Sequence, residues 1–176
     1  AIRILHKENK NFSVDVVGQW RSEQVKKVCM DLVAGLPVNF HLPASGKEKL
    51  SFFEQADIFV FTPREPEGHP WVIVESMAAG LPVISTDQGA IIESVKDGEN
   101  GFIVPVKDPK AIAGKLKLLV NDQELRRKMG KRSLEFYEQK FTEERMVDNL
   151  TAVFNRVIEG NKSVISAAGQ PVAAAK

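Results

Sequence analysis

Short runs of apolar and β-branched residues alternate along this chain with longer stretches whose apolar positions recur every three to four residues. The short runs read as buried strands and the longer stretches as amphipathic helices. Residues 2–8 (IRILHKE) have the look of the end of a helix, and residues 12–18 (FSVDVVG) form a strand stopped by Gly18. Ser22 is placed to cap a helix with Val25, Val28, Cys29 and Leu32 on one side, ended by Gly35 and Pro37. The strand PVNFH follows, then a helix over 48–55 that turns Leu50, Phe52 and Phe53 inward. Residues 56–62 (ADIFVFT) give the strongest strand signal and are expected at the centre of a sheet. After the loop PREPEGH, a helix is expected over 70–79, closed by Gly80 with Pro82 just beyond, and then the strand PVIST.

A helical turn near residues 91–95 leads through DGENG to the strand GFIVP. Asp108 with Pro109, then Asp122 and Thr142, each suit the start of a further helix. The last helix has an apolar stripe of Met146, Leu150, Val153, Phe154, Val157 and Ile158, and from about Asn161 the periodicity fades into an expected flexible tail, 161–176. Strands that alternate with helices in this way predict an α/β fold with a parallel sheet flanked by helices. The expected organisation is one domain over 1–160 followed by the tail.

Composition narrows the class. The 176 residues are 43% hydrophobic and 27% charged with 12 Gly and 9 Pro, which excludes disordered and collagen-like chains. Lys and Arg total 24 against 23 Asp and Glu, a net charge of +1, so no whole-molecule field draws in nucleic acid or an anionic membrane. The run Arg126, Arg127 and Lys128 with Lys131 and Arg132 lacks interleaved aromatics and reads as a solvated helix face. The single cysteine, Cys29, excludes an internal disulfide and suits a reducing compartment; with no spanning stretch or leader, a cytoplasmic protein is expected. The text at Ala1 is already periodic and has no initiator Met, as expected for a piece of a longer chain. His6, His41 and His69 follow no metal-ligand spacing, and neither a dinucleotide fingerprint nor a P-loop is present, so no metal or cofactor is expected.

The chemistry concentrates in the loop after ADIFVFT. In open parallel sheets, ligands bind beyond the carboxyl ends of the strands. Here the loop opens straight into the helix WVIVESMAAG, whose first free amides, on Trp71 and Val72, suit a phosphate. Gly68 lets a ligand approach the backbone, and Pro70 fits the first helical turn. Glu75 lies one turn on, among apolar and small residues. Either it belongs to the exposed stripe of the helix, or it is buried and needs a specific partner, such as ribose hydroxyls. On residue type alone, Glu65 and Glu67 read as solvated loop acids.

The stretch from ADIFVFTPREPEGHPWVIVESMAAGLPVI to DGENGFIVPVKDP resembles the donor-binding half of retaining glycosyltransferases of family 4, which have the two-domain GT-B fold. The shared features are the aspartate-bearing strand, Glu67 and Glu75 with seven residues between them, ESMAAGLPVI, the Gly89 loop before Glu93, and the DGENGFIVP turn and strand. The likeness extends over roughly residues 1–160. It implies a Rossmann-like second domain of a GT-B fold that binds a nucleoside diphosphate sugar, in a parent enzyme that transfers the sugar to an acceptor with its configuration kept.

By that resemblance, Glu67 is the catalytic-site glutamate that contacts the transferred sugar. Gly68, His69, Trp71 and Val72 line the sugar and diphosphate, Glu75 holds the ribose, and Gly89 faces the same cleft. Where many members carry Gly-Phe-Gly, this chain has Gly68-His69-Pro70, which removes one amide. Near the base pocket it has Phe40-His41-Leu42-Pro43 in place of a glycine. The Arg and Lys that neutralise the departing diphosphate, and the acceptor domain with its catalytic histidine, match text that would precede Ala1. The isolated chain is therefore expected to be inactive by itself. Its expected partners are the donor and that acceptor domain, with no nucleic acid and with membrane association only through the parent protein. The other reading is a non-catalytic α/β module that binds a nucleotide or a partner protein.

Overall fold

A computed structural model describes residues 1–168. The elements in chain order are α1 (Ile2–Glu8), β1 (Val14–Val17), α2 (Glu23–Val33), β2 (Val38–His41), α3 (Gly46–Gln55), β3 (Phe59–Phe61) and α4 (Trp71–Ala78). They continue with β4 (Val83–Thr86), α5 (Ile91–Ser94), β5 (Gly101–Val104), α6 (Pro109–Asn121), α7 (Gln123–Lys140) and α8 (Glu143–Ala168). The fold is α/β with parallel strands and flanking helices. The chain divides into two compact units, Ala1–Tyr137 and a second that begins at Glu138.

All strand pairing in the described residues is parallel. β1 pairs with β2, from Val14 opposite Val38 to Val17 opposite His41. β3, β4 and β5 form a separate sheet in that order. The strand expected at the centre, within ADIFVFT, is therefore an edge of its sheet, and β4 is the central strand. Burial agrees with this placement: all four residues of β4 are buried, whereas β3 is only half-buried. A strand paired on both sides and covered by helices tends to read as a continuous apolar run. ADIFVFT has that composition, but composition does not report which edge of a strand is paired.

The core lies around β4 and β5. Ile84, Phe102, Val104, Leu119 and Met129 form a buried cluster, packed against by Ile58, Ala111, Ile112, Leu116 and Leu125. The caps legible in the sequence are made: Ser22 accepts from the Val25 amide, Asp108 from those of Lys110 and Ala111, Asp122 from Leu125, and Thr142 from Arg145. Three expectations differ. Leu50 is exposed while Phe53 is buried. The apolar side of α2 is not buried either, with Val28 and Leu32 more than half exposed. A two-stranded sheet offers little area for a helix to cover. In the second unit α8 runs on to Ala168, past Asn161, so residues 161–168 of the expected tail are helical; 169–176 lie outside the described residues.

Across β1 and β2, the Asp15 carboxylate accepts a hydrogen bond from Asn39 (3.1 Å) and lies 2.7 Å from the His41 ring nitrogen. The hydrogen bond with His41, more than that with Asn39, holds the Asp15 carboxyl below its usual value of 3.8. A depressed carboxylate contributes stability above its unfolded pKa, and this is lost as the pH falls through the folded value. Asp15→Asn is therefore expected to lower the denaturation midpoint slightly near about pH 7, with the gap closing toward about pH 2. Urea titrations of both proteins across that range check it, and a gap that widens in acid would contradict it.

Candidate functional site

The carboxyl ends of β3 and β4 bring two loops together. The Ser85 hydroxyl donates to the Phe61 carbonyl (2.5 Å) and that of Thr86 to the Pro63 carbonyl (2.7 Å). Both serve buried β4 residues that would otherwise carry unpaired polar groups. They pin the start of the loop over 63–70 to the central strand. Further along, Glu67 and Gly89 form an isolated parallel bridge, and the Ala90 amide donates to the Glu67 carbonyl (3.2 Å).

Gly89 is what permits this approach. Its φ is +68°, and a Cβ there would lie 1.9 Å from the Glu67 carbonyl oxygen. Gly89 thus sets the backbone position of Glu67, a structural role that sequence reading did not separate from facing the cleft. The Glu67 side chain belongs to a half-buried residue, while Gly68 and His69 are exposed. The His69 ring lies 2.5 Å from the hydroxyl of Ser94, a buried residue on α5, which ties the 63–70 loop to a third segment.

Helix α4 begins at Trp71, one residue later than expected, with Pro70 as its N-cap at φ −64°. No side chain caps this end, so the first amides, including those of Trp71 and Val72, are directed out of the helix start. The Trp71 side chain is 69% exposed, whereas Ile73, Val74, Ser76 and Met77 are buried and anchor the helix. Anions are favoured at such a helix end.

Glu75 is half-buried, and its partner in this structure is Lys49 on α3, whose Nζ donates to Oε1 at 2.5 Å. The carboxylate is therefore specifically paired. Sequence reading left open whether Glu75 is exposed or specifically paired and did not point to Lys49, which lies 26 residues away on a separate helix.

Sequence reading also missed Asn100. It is fully buried, donates to the Ser94 carbonyl and accepts from the Lys96 amide, and its own carbonyl accepts from Ser133 on α7. These bonds fix the turn after α5 and, through Ser94, the backing of His69. Its place within DGENG suggested only a turn.

Glu67, Gly68, His69, Trp71, Val72, Glu75 and Gly89 thus fall on two adjoining loops and one helix start at one end of the three-stranded sheet. Among the described residues, no helix is long and apolar enough to cross a membrane.

The profile of the family described as "Glycosyl transferases group 1" matches residues 1–136, more than three quarters of the chain. This chain belongs to the group 1 glycosyl transferases. It is 30% identical over 159 residues to the capsular polysaccharide biosynthesis glycosyltransferase CapM of Staphylococcus aureus, a match that covers 90% of this chain and 42% of CapM. It is 32% identical over 99 residues to N-acetyl-alpha-D-glucosaminyl L-malate synthase of Bacillus anthracis, covering 56% of this chain and 26% of that one. The chain thus spans less than half the length of these curated relatives. Among solved structures, Anabaena HepE in complex with UDP and glucose superposes with a TM-score of 0.75 at 19% identity, covering 86% of this chain and 43% of HepE. The C-terminal domain of the Francisella tularensis group 1 protein LpcC superposes with a TM-score of 0.68 at 24% identity, covering 80% of this chain and 75% of that domain. The fold of this group 1 domain is that of GT-B glycosyltransferases.

Proposed function

We propose that this chain is the donor-binding domain of a retaining glycosyltransferase, which acts in a longer polypeptide to transfer a sugar from a nucleoside diphosphate sugar to an acceptor. The observation that carries this reading is the bridge between Glu67 and Gly89, which holds the 63–70 loop beside the open amino end of α4. In this reading the amides of Trp71 and Val72 receive the diphosphate, with the loop backbone at Gly68 and His69 along the sugar and diphosphate. Glu67 contacts the transferred sugar as the catalytic residue, Glu75 holds the ribose, and Gly89 borders the same cleft. The site uses no metal or other cofactor. Its chemistry is positioning, together with stabilisation of the charge on the departing diphosphate by the helix end and by cations. The acceptor and the remaining cations come from the parent chain, so the isolated domain transfers no sugar. The free Cys29 suits a cytoplasmic location.

Titration with UDP, GDP, ADP and pyrophosphate, followed by amide chemical shifts, tests this reading. A nucleoside diphosphate should bind on the order of millimolar, about −4 kcal/mol, compete with pyrophosphate and shift amides between Gly68 and Ile73. If no amide there moves, the reading fails. Glu75→Gln should weaken the nucleotide by about 1.5 to 3 kcal/mol, through lost charged hydrogen bonds to the ribose, and leave pyrophosphate almost unchanged. An equal loss for both ligands would mean that Glu75 acts through the fold and its pair with Lys49.

A further inference from the structure

Lys49 and Glu75 each stand where the local sequence does not favour them. Glu75 is the one charged residue of α4, with Ile73, Val74, Ser76 and Met77 buried around it. Lys49 is in the first turn of α3, where a helix end favours anions over cations. Lys47, Glu48 and Leu50 beside it are exposed, whereas Lys49 is half-buried on the side that carries Phe52 and Phe53. The two charges resolve each other through the bond from Lys49 Nζ to Glu75 Oε1. Lys49 is the fourth residue of α3 and Glu75 the fifth of α4, so both stand near helix starts that follow the carboxyl ends of β2 and β3.

The pair is not what holds α3 in place. Phe53 is buried, with its ring centroid 5.7 Å from that of Phe59 on β3, and the Phe52 ring lies 4.8 Å from that of His41 on β2. The Lys49 and Glu75 side chains are 37% and 32% exposed, and an ion pair this open to solvent adds little to stability. What it does fix is the carboxylate. Among the described residues, Lys49 is the hydrogen-bond donor to this group and engages one oxygen, Oε1. A carboxylate accepts through lone pairs on both oxygens, so this bond leaves acceptors for two neighbouring hydroxyls.

We propose that Lys49 is a positioning residue for a ribose diol: its ammonium anchors Oε1 of Glu75 and presents the carboxylate to the 2′- and 3′-hydroxyls of a nucleoside diphosphate, so that the domain distinguishes ribose from 2′-deoxyribose through Lys49. This rests on the donor-binding function proposed above, in which the diphosphate meets the Trp71 and Val72 amides and Glu75 lies one turn, about 5.4 Å, further along α4. A free glutamate side chain loses rotamer entropy when it receives a ligand, and one already held by a partner loses less. The 2′-deoxy sugar offers one hydroxyl where ribose offers two, and leaves part of the anchored carboxylate unsatisfied.

Affinities of UDP, GDP and ADP, each beside its 2′-deoxy counterpart, and of pyrophosphate test this on the unaltered chain, Lys49→Met, Lys49→Arg and Glu75→Gln. Lys49→Met keeps the aliphatic stem and removes the charge. The unaltered chain should prefer ribose roughly tenfold, and Lys49→Met should reduce the preference to about twofold while pyrophosphate binding is unchanged. Lys49→Arg, which keeps a cationic donor, should restore most of it. Added to Glu75→Gln, Lys49→Met should alter nothing further, as expected of a residue that acts only through Glu75. The proposal is overturned if the unaltered chain binds both sugars equally, if its preference survives Lys49→Met, or if pyrophosphate weakens in parallel. Tighter nucleotide binding by Lys49→Met also overturns it, because Lys49 would then be a rival of the ribose. None of these outcomes touches the donor-binding function, which fails instead, and the proposal with it, if no nucleoside diphosphate shifts the amides between Gly68 and Ile73.

Discussion

Gly89→Ala is expected to destabilise the first unit by roughly 2 to 5 kcal/mol, the sum of a left-handed backbone cost and an overpacking cost. The added Cβ would sit 1.9 Å from a backbone oxygen of Glu67, and neither loop can yield without breaking the bridge between them. Gly98→Ala is the matched comparison. Its φ of +78° is equally left-handed, yet no heavy atom lies within 4 Å of the added carbon. It should cost only about 1 to 2 kcal/mol. Denaturant midpoints of the two variants separate the effects, and equal losses would show that the approach of Glu67 to Gly89 adds nothing. Because the same change displaces Glu67, nucleotide-sugar binding should fall further in Gly89→Ala than in Gly98→Ala under conditions where both remain folded.

Asn100→Ala should cost roughly 2 to 4 kcal/mol, because it leaves the Ser94 carbonyl and the Lys96 amide without their partner in the interior. The loss should be cooperative with the loop beyond it. Ser94 carries the hydroxyl that lies against the His69 ring, so a loosened turn frees the 63–70 loop as well. The His69 ring resonances should broaden or shift in Asn100→Ala, whereas Asp97→Ala should leave them in place. Asp97 lies in the same turn but accepts from Ile103 on the side of β5. A destabilised variant with an unchanged His69 signal would confine Asn100 to the turn.

The elements were largely legible because their signals are local. Ser22, Asp108, Asp122 and Thr142 each accept a hydrogen bond from an amide two or three residues ahead. Such bonds depend on the sequence window alone. Helix α4 and the loop before it were legible for the same reason, since a glycine, a proline and an apolar helix follow one another directly. The parallel pairing was also foreseen; what failed was which strand lies at the centre of its sheet and which helix faces the strands cover. ADIFVFT reads as a central strand from its composition, yet among the described residues β3 pairs on one side only, and the apolar side of α2 stays exposed. The site divides along the same line. The apolar surroundings of Glu75 raised a partner as one of two readings, but Lys49 is a choice of the tertiary fold. The demand on Gly89 comes from Glu67, a residue of the other loop, so it too lies beyond any local window.

The short first helix has a consequence for how the chain reaches its native state. α1 packs on α6, where Asn9 donates to Asn121 and Lys117 pairs with Glu8, across sequence separations of 112 and 109 residues. Contacts that far apart close the largest loop in the first unit, and such topology slows folding because chain entropy is lost before the contacts form. As the polypeptide emerges from the ribosome, α1 is made before its partner α6 and docks late, after β3, β4, β5 and α6 have been synthesised. Until then β1 and β2 have only their local partners, and the exposed apolar side of α2 is the surface a chaperone would meet first.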